Sequence, residues 1–292
     1  MKHITIIPSK GRAEYFLRYK DLPIIRFNHP SFNTVLWVYK DEENEYRKTL
    51  KELNLNHITI YADKDSINIA QKRQSILNYC KENDYEYLFS PDDDMRFYER
   101  KTNFKSLPLD YENNRELFNH LSSICSNKYP LVYFRERYMI QNVKKLYTLT
   151  FKVCGIYFIH VPTFIKENIS FMYKDNCIYE DSIVQLLLHS KGYRPCSSSV
   201  YVVSQRHGDN STGGCSSYRN IKIANRAAKI IFADFKEYSI PNIKRNWSEG
   251  PRIVLRFNFK KFLKENELNY VPKKEMAIHM NRKEAYTIGG LE

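Results

Sequence analysis

The chain lacks the marks of a membrane or exported protein. No apolar run approaches the ~20 residues needed to cross a bilayer, and the stretch Met1 to Ile7 is ended by Pro8 before it reaches signal-peptide length, with no cleavage pattern behind it. A cytoplasmic protein without a membrane partner is the expectation. Cysteine is sparse and scattered: Cys80, Cys125, Cys154, Cys177, Cys196 and Cys215 form no C-x-x-C pair and no zinc-knuckle spacing, so free thiols are expected. There is no internal repeat and no low-complexity linker. Ile7 to Arg12, after the first apolar run, holds one glycine where a nucleotidyltransferase would carry a glycine-rich turn.

What is present supports a large folded unit. The 292 residues are 42% hydrophobic and 14% aromatic, with 23 tyrosines, which excludes a disordered scaffold. The formal net charge is +13, and residues 219–292 hold 16 Lys+Arg against 8 Asp+Glu, +8 of that total. A polyanionic partner such as nucleic acid is one consequence; a solubilising surface bias is the other. The expected division is a catalytic domain over 1–218 and a basic C-terminal elaboration over 219–292 packed on it.

Apolar, β-prone runs recur at Ile4 to Ile7, Thr34 to Tyr39, His57 to Tyr61 and Tyr85 to Ser90, separated by helical patterns. This alternation predicts an α/β fold with a mostly parallel sheet. Ile67, Ile69, Ala70, Arg73, Ile76, Leu77 and Cys80 follow a 3.6-residue period, a helix ending near Asn83. Further on, Asn114 to Asn127 reads as helix, and Leu131 to Phe134, Leu146 to Phe151 and Gly155 to His160 as a smaller antiparallel extension. Tyr179 to His189 reads as an acid-led apolar helix, Ser197 to Ser204 as a strand and Gln205 to Gly214 as a loop. Ile221 to Phe235 reads as a helix, Pro241 to Pro251 as a connection and Ile253 to Leu263 as a basic, aromatic stretch. Ligands of open parallel sheets bind beyond the carboxyl ends of the strands, so Ser9 to Arg12, Asp63 and Asp92 to Asp94 should meet in one crevice.

Asp92, Asp93 and Asp94 directly follow the run Tyr87-Leu88-Phe89. Three adjacent carboxylates repel one another unless a cation offsets them, and hard oxygen ligands suit Mg2+ or Mn2+, which share their coordination with substrate phosphates. A solvated acidic turn, favoured by Ser90-Pro91, is the plainer alternative. Likewise, Glu180 and Asp181 are at home in the first turn of a helix on dipole grounds alone.

The order of strand plus P-S-K-G-R, helix with an internal Arg, strand plus D-D-D and later E-D helix start resembles the GT-A glycosyltransferases over roughly residues 1–210. The resemblance implies a Rossmann-type sheet flanked by helices and a nucleotide-diphosphate sugar as donor. It makes Asp92 and Asp94 the D-x-D element that holds Mn2+ or Mg2+, with His207 adding to that shell. It sets Ser9, Lys10, Arg12, Asp63, Arg73 and Asp92 around the donor. By the same analogy Asp181 is the catalytic base, with Glu180 as the other candidate, and inversion is the preferred outcome.

In overall character the chain is also similar to bacteriophage glycosyltransferases that modify hydroxymethylated pyrimidines in DNA, which would place it in the host cytoplasm. That similarity implies a double-stranded DNA acceptor met by Arg245, Trp247, Arg252, Arg256, Lys260, Lys261 and Lys264. Alternatively, Ile253, Leu255, Phe257, Phe259 and Phe262 are simply core, and the acceptor is a cell-surface glycan or small molecule. A non-catalytic nucleic-acid-binding protein is a third reading; against it, three carboxylates near an anionic ligand would repel phosphate without a cation.

Overall fold

The computed structural model describes residues 2–100, 106–109, 111–137, 147–149, 156–174, 178–193, 195–205, 220–236, 239–244, 251–258 and 277–278. The chain begins with β1 (His3–Pro8), α1 (Ala13–Arg18), α2 (Pro23–Arg26), β2 (Thr34–Tyr39), α3 (Glu43–Glu52), β3 (Thr59–Asp63) and α4 (Ile69–Glu82). It continues with β4 (Tyr87–Ser90), β5 (Met95–Arg100), β6 (Ser106–Pro108), α5 (Tyr111–Ile124), β7 (Leu131–Glu136), β8 (Tyr147–Leu149), β9 (Tyr157–His160) and α6 (Val161–Lys166). Then follow α7 (Glu180–Ser190), β10 (Cys196–Gln205), α8 (Ile221–Asp234), β11 (Ser239–Lys244) and β12 (Arg252–Phe257).

The main sheet runs β8-β10-β7-β9-β4-β1-β2-β3. Pairs β4/β1, β1/β2, β2/β3 and β10/β7 are parallel, while β9 is antiparallel to both neighbours. The strands read as near-continuous apolar runs because both faces are covered. On one face Ile4, Ile6, Trp37 and Leu88 meet Ile76 and Leu77 of α4 and Val184 and Leu188 of α7. On the other, Ile7, Leu36 and Val38 meet Phe16 of α1 and Leu50 of α3, while Phe89, Phe97, Phe134 and Phe158 pack on Leu117, Phe118 and Leu121 of α5. The expected α/β class with its mostly parallel sheet is therefore the observed one.

Gly155 to His160, expected in the antiparallel extension, forms β9, which runs antiparallel to β4 and β7 and joins the parallel strands β4-β1-β2-β3 to β7, β10 and β8. Tyr157, Phe158 and Ile159 of β9 are all buried. Further antiparallel pairs are β5 with β6 and β10, β8 with β10, and the separate β11–β12 hairpin. One segment differs from the sequence reading. Pro241, read as opening a connection, lies inside β11, which tolerates proline because a two-stranded hairpin leaves one edge of each strand unpaired.

Two helix starts orient the site. Asn68 caps α4 by accepting from the Gln71 amide at 3.0 Å, and Gln71 reaches back to the Ile67 amide at 2.8 Å, a reciprocal cap that fixes the direction in which Lys72 and Arg73 leave the first turn. Tyr179 precedes α7 in the left-handed region (φ 69°), so the chain turns sharply before Glu180 and Asp181. The C-terminal elements close over that helix: Ile183 of α7 packs with Ala228 and Ile231 of α8 and with Leu255 of β12. Among the described residues, no helix is long and apolar enough to cross a membrane.

Candidate functional site

The aspartate triplet forms the turn between β4 and β5, at the carboxyl end of the parallel strands. Its three members have different surroundings. Asp93 is buried and accepts from Ser9 Oγ and from Arg12 Nη1. Asp94 is also buried, with its Oδ2 3.2 Å from Arg12 Nη1. Asp92 keeps a quarter of its side chain exposed, and its Oδ1 accepts from Arg73 Nη2 at 2.7 Å. Arg73, 4% exposed, also sets its Nε 3.7 Å from Glu180 Oε1 and its guanidinium 4.4 Å from the centre of the Tyr157 ring. Arg73 thus joins the triplet to the first turn of α7.

The electrostatics follow from crowding. Loss of solvent pushes Asp92 up to about 7, opposed by Arg73 and reinforced by Asp94 and Asp93. The same loss pushes Asp93 up to about 6, opposed by Arg12. Both arginines stay charged: burial alone would lower them, but the aspartates around Arg12, and Asp92, Glu180 and Asp181 around Arg73, hold them above their ordinary range.

The turn from Ser9 to Arg12 is clamped on every side. Ser9 Oγ bonds Tyr46 Oη at 2.7 Å, Lys72 Nζ donates to the Ser9 carbonyl at 2.7 Å, and Tyr46 Oη accepts the Arg12 amide at 3.0 Å. The Gly11 amide, in the left-handed conformation at φ 61°, donates to both Glu42 oxygens. Ser9 and Arg12, expected beside the nucleotide, are bonded to the triplet, while Lys10 sets its Nζ over the Tyr39 ring, 4.6 Å from the centre. Asp63 at the end of β3 accepts from Trp37 Nε1 at 2.8 Å and from the Asp65 and Ser66 amides. It closes its own loop and borders a cleft of about 360 Å³ lined by Trp37, Tyr61, Asn78 and Tyr79.

Glu180 is buried, whereas Asp181 is half-buried, with Oδ1 held by the Ser182 amide at 2.7 Å. His207 lies outside the described residues, as do Arg245, Trp247, Lys260, Lys261 and Lys264. Gln205, two positions before His207, pairs with Met95, the residue after Asp94. Arg252 and Arg256 are on β12, whose Ile253, Leu255 and Phe257 pack with Ala228 and Ile231 of α8, while Arg256 is exposed.

Sequence reasoning missed Lys72, Tyr46, Glu42 and Tyr157. Lys72 is the most informative of these: it is 2% exposed, lies 3.6 Å from the Tyr39 ring centre, and is pushed down to about 7 by burial. Its signal was a lysine four residues before Ile76, on the apolar face of α4.

Neither a family model nor a curated protein matches the chain. Among solved structures it is similar to residues 1–349 of S. aureus TarS in complex with UDP-GlcNAc, with a TM-score of 0.48 and 13% identity over 80% of this chain and 67% of that one. It is also similar to the mannosyltransferase PcManGT from Pyrobaculum calidifontis in complex with GDP-Man and Mn2+, with a TM-score of 0.49 and 15% identity over 80% of this chain and 64% of that one. UDP-glucose pyrophosphorylase complexed with UDP-glucose gives 0.39 and 11% identity over 80% of this chain and 100% of that one. The chain thus spans about two thirds of the length of the first two. All three are complexes with nucleotide sugars. At such low identity and overlap these likenesses decide nothing about chemistry, which has to be read from the chain's own side chains.

Proposed function

We propose that the chain is a metal-dependent glycosyltransferase that moves a sugar from a nucleotide-diphosphate donor to a hydroxyl acceptor, a hydroxymethylated base in DNA. The observation that carries this reading is the joining of two acidic groups, Asp92 to Asp94 and Glu180-Asp181, by Arg73 at the carboxyl ends of parallel strands. A binding module has no use for that arrangement, and ligands of such sheets sit at this edge.

A divalent cation fits the residues present. Burial and mutual repulsion raise Asp92 and Asp93 above the usual carboxylate range, a crowding that a bound Mg2+ or Mn2+ would relieve. Among the described residues no three His, Cys, Asp or Glu side chains close on one point, so a cation there would have to take further ligands from the donor's diphosphate. Asp92 and Asp94 would hold it, with His207 the further candidate ligand. When bound, it would supply positive charge against the diphosphate of the nucleotide that leaves.

The remaining work falls to the protein. Lys10, with its ammonium 4.6 Å from the Tyr39 ring centre, is the lysine of the β1–α1 turn that would stabilise charge developing on the departing nucleoside diphosphate. Ser9, Arg12 and Asp63 hold the crevice in shape, and Arg73 fixes Asp92 and Glu180 relative to each other. Asp181 takes the proton of the acceptor hydroxyl as its oxygen bonds to the anomeric carbon and the bond to the diphosphate breaks, which inverts that carbon. Glu180, held by Arg73, is the second carboxylate at the acceptor.

The DNA acceptor rests on charge. Lys222, Arg226 and Lys229 recur at helical spacing along the exposed side of α8, and Lys244, Arg252 and Arg256 share one face of the β11–β12 hairpin. Both elements back onto α7, the helix that presents Asp181. A screen of UDP- and GDP-sugars for Mn2+-dependent hydrolysis tests the donor chemistry: one accepted donor supports it, and no hydrolysis or binding of any nucleotide sugar overturns it.

A further inference from the structure

Tyr157 opens β9 opposite Ser90, the residue that ends β4. Its side chain is fully buried between α4 and α7, edge-on to Phe171 at 5.4 Å, and the Arg73 guanidinium covers its ring at 4.4 Å. The ring is thereby accounted for, as apolar wall and as a π face for a cation. The hydroxyl is not: it has no hydrogen-bond partner among the described residues. The guanidinium over the ring is the one that bonds Asp92 and lies 3.7 Å from Glu180, so Tyr157 adjoins the first turn of α7, which carries Asp181. Phenylalanine would fill the same space and keep the same ring face without burying an unsatisfied polar group, which costs stability.

We propose that Tyr157 is a positioning residue for sugar transfer, whose hydroxyl donates to the Asp181 carboxylate once donor and acceptor are in place. Asp181 Oδ1 is already directed by the Ser182 amide, so a second donor on the other oxygen would fix the carboxylate in the plane needed to receive the acceptor's proton. Burial raises the Tyr157 phenol well above its ordinary value, so it remains protonated and able to donate at any working pH. This inference rests on the reading of Asp181 as base.

The test is a cycle of Tyr157→Phe, Asp181→Asn and the double variant, measured with the sugar donor and acceptor that the screen identifies. Tyr157→Phe should leave the melting temperature unchanged or higher and the donor KM within about twofold, and should lower kcat for transfer about tenfold or more, as loss of one positioned hydrogen bond does. In the Asp181→Asn background the same change should have no further effect. A wild-type kcat in Tyr157→Phe, a fall in melting temperature of several degrees, or a full additional loss in the double variant would each overturn the proposal. Full transfer by Asp181→Asn alone would instead remove the base assignment on which it stands.

Discussion

Arg73 and Asp92 share a hydrogen bond of 2.7 Å on the last exposed carboxylate of a triplet whose middle member, Asp93, is closed off by Ser9 and Arg12. The three adjacent aspartates therefore divide the work. Asp93 ties the β1–α1 turn to the β4–β5 turn, while Asp92 bonds Arg73 and keeps a quarter of its side chain exposed.

The first prediction separates those roles. Asp93→Ala leaves the Arg12 guanidinium buried without its main partner and should cost about 3 kcal/mol of stability. Asp92→Asn keeps an oxygen for Arg73 and should change stability by under about 1 kcal/mol, yet reduce donor hydrolysis about a hundredfold or more by removing charge. Urea denaturation and nucleotide-sugar hydrolysis of the two variants, side by side, decide it; equal stabilities would show that Asp93 has no bracing role.

Asp181→Asn should retain nucleotide-sugar binding and lose transfer, because the amide accepts no proton from an attacking hydroxyl. Titration of the donor by calorimetry, paired with a transfer assay, reads the split. If binding were lost together with transfer, Asp181 would belong to the donor pocket.

His120 of α5, with its ring 5.1 Å from that of Tyr201, gives a pH signature of the fold. Burial lowers its pKa from 6.5 to about 4, so the folded chain holds it neutral where the unfolded chain is already protonated. Its contribution to stability is complete above pH 6.5 and is lost as the pH falls from there to about 4, by at most about 3 kcal/mol. Denaturation midpoints between pH 7 and 4 should fall more steeply for the wild type than for His120→Gln. Parallel curves would remove His120 as the cause.

The basic C-terminal surface is tested by salt. If Lys222, Lys229 and Arg256 meet DNA phosphates, their triple replacement by Ala should reduce the slope of log K against log salt by roughly 0.9 for each phosphate that is no longer neutralised. Duplex binding measured across a salt series, with hydroxymethylated and unmodified DNA, is the readout. Salt-independent or absent binding would move the acceptor toward a glycan or a small molecule.

The sheet and the acidic edge were legible in the sequence because parallel strands covered on both faces read as apolar runs and because three like charges in a row are conspicuous. The role of each aspartate was not, since it depends on Ser9 and Arg12, more than 80 residues away in sequence. Arg73 sat in the expected helix, but nothing local shows that it reaches both Asp92 and Glu180. Strand β9 was legible as an antiparallel addition, but not its partners β4 and β7, because alternation and apolarity carry no pairing partner. Lys72 was hidden by its type: a lysine on a helix reads as surface, and only the packing of α4 against β1 and β2 buries it.

The most direct measurement of the central claim is calorimetric titration of wild type and Asp92→Asn with UDP- and GDP-sugars, with Mn2+ and with chelator. A donor that binds the wild type only with Mn2+, and binds Asp92→Asn at least tenfold more weakly, is the predicted result. Equal binding by both proteins in chelator would contradict a cation held by the aspartates and, with it, the glycosyltransferase reading.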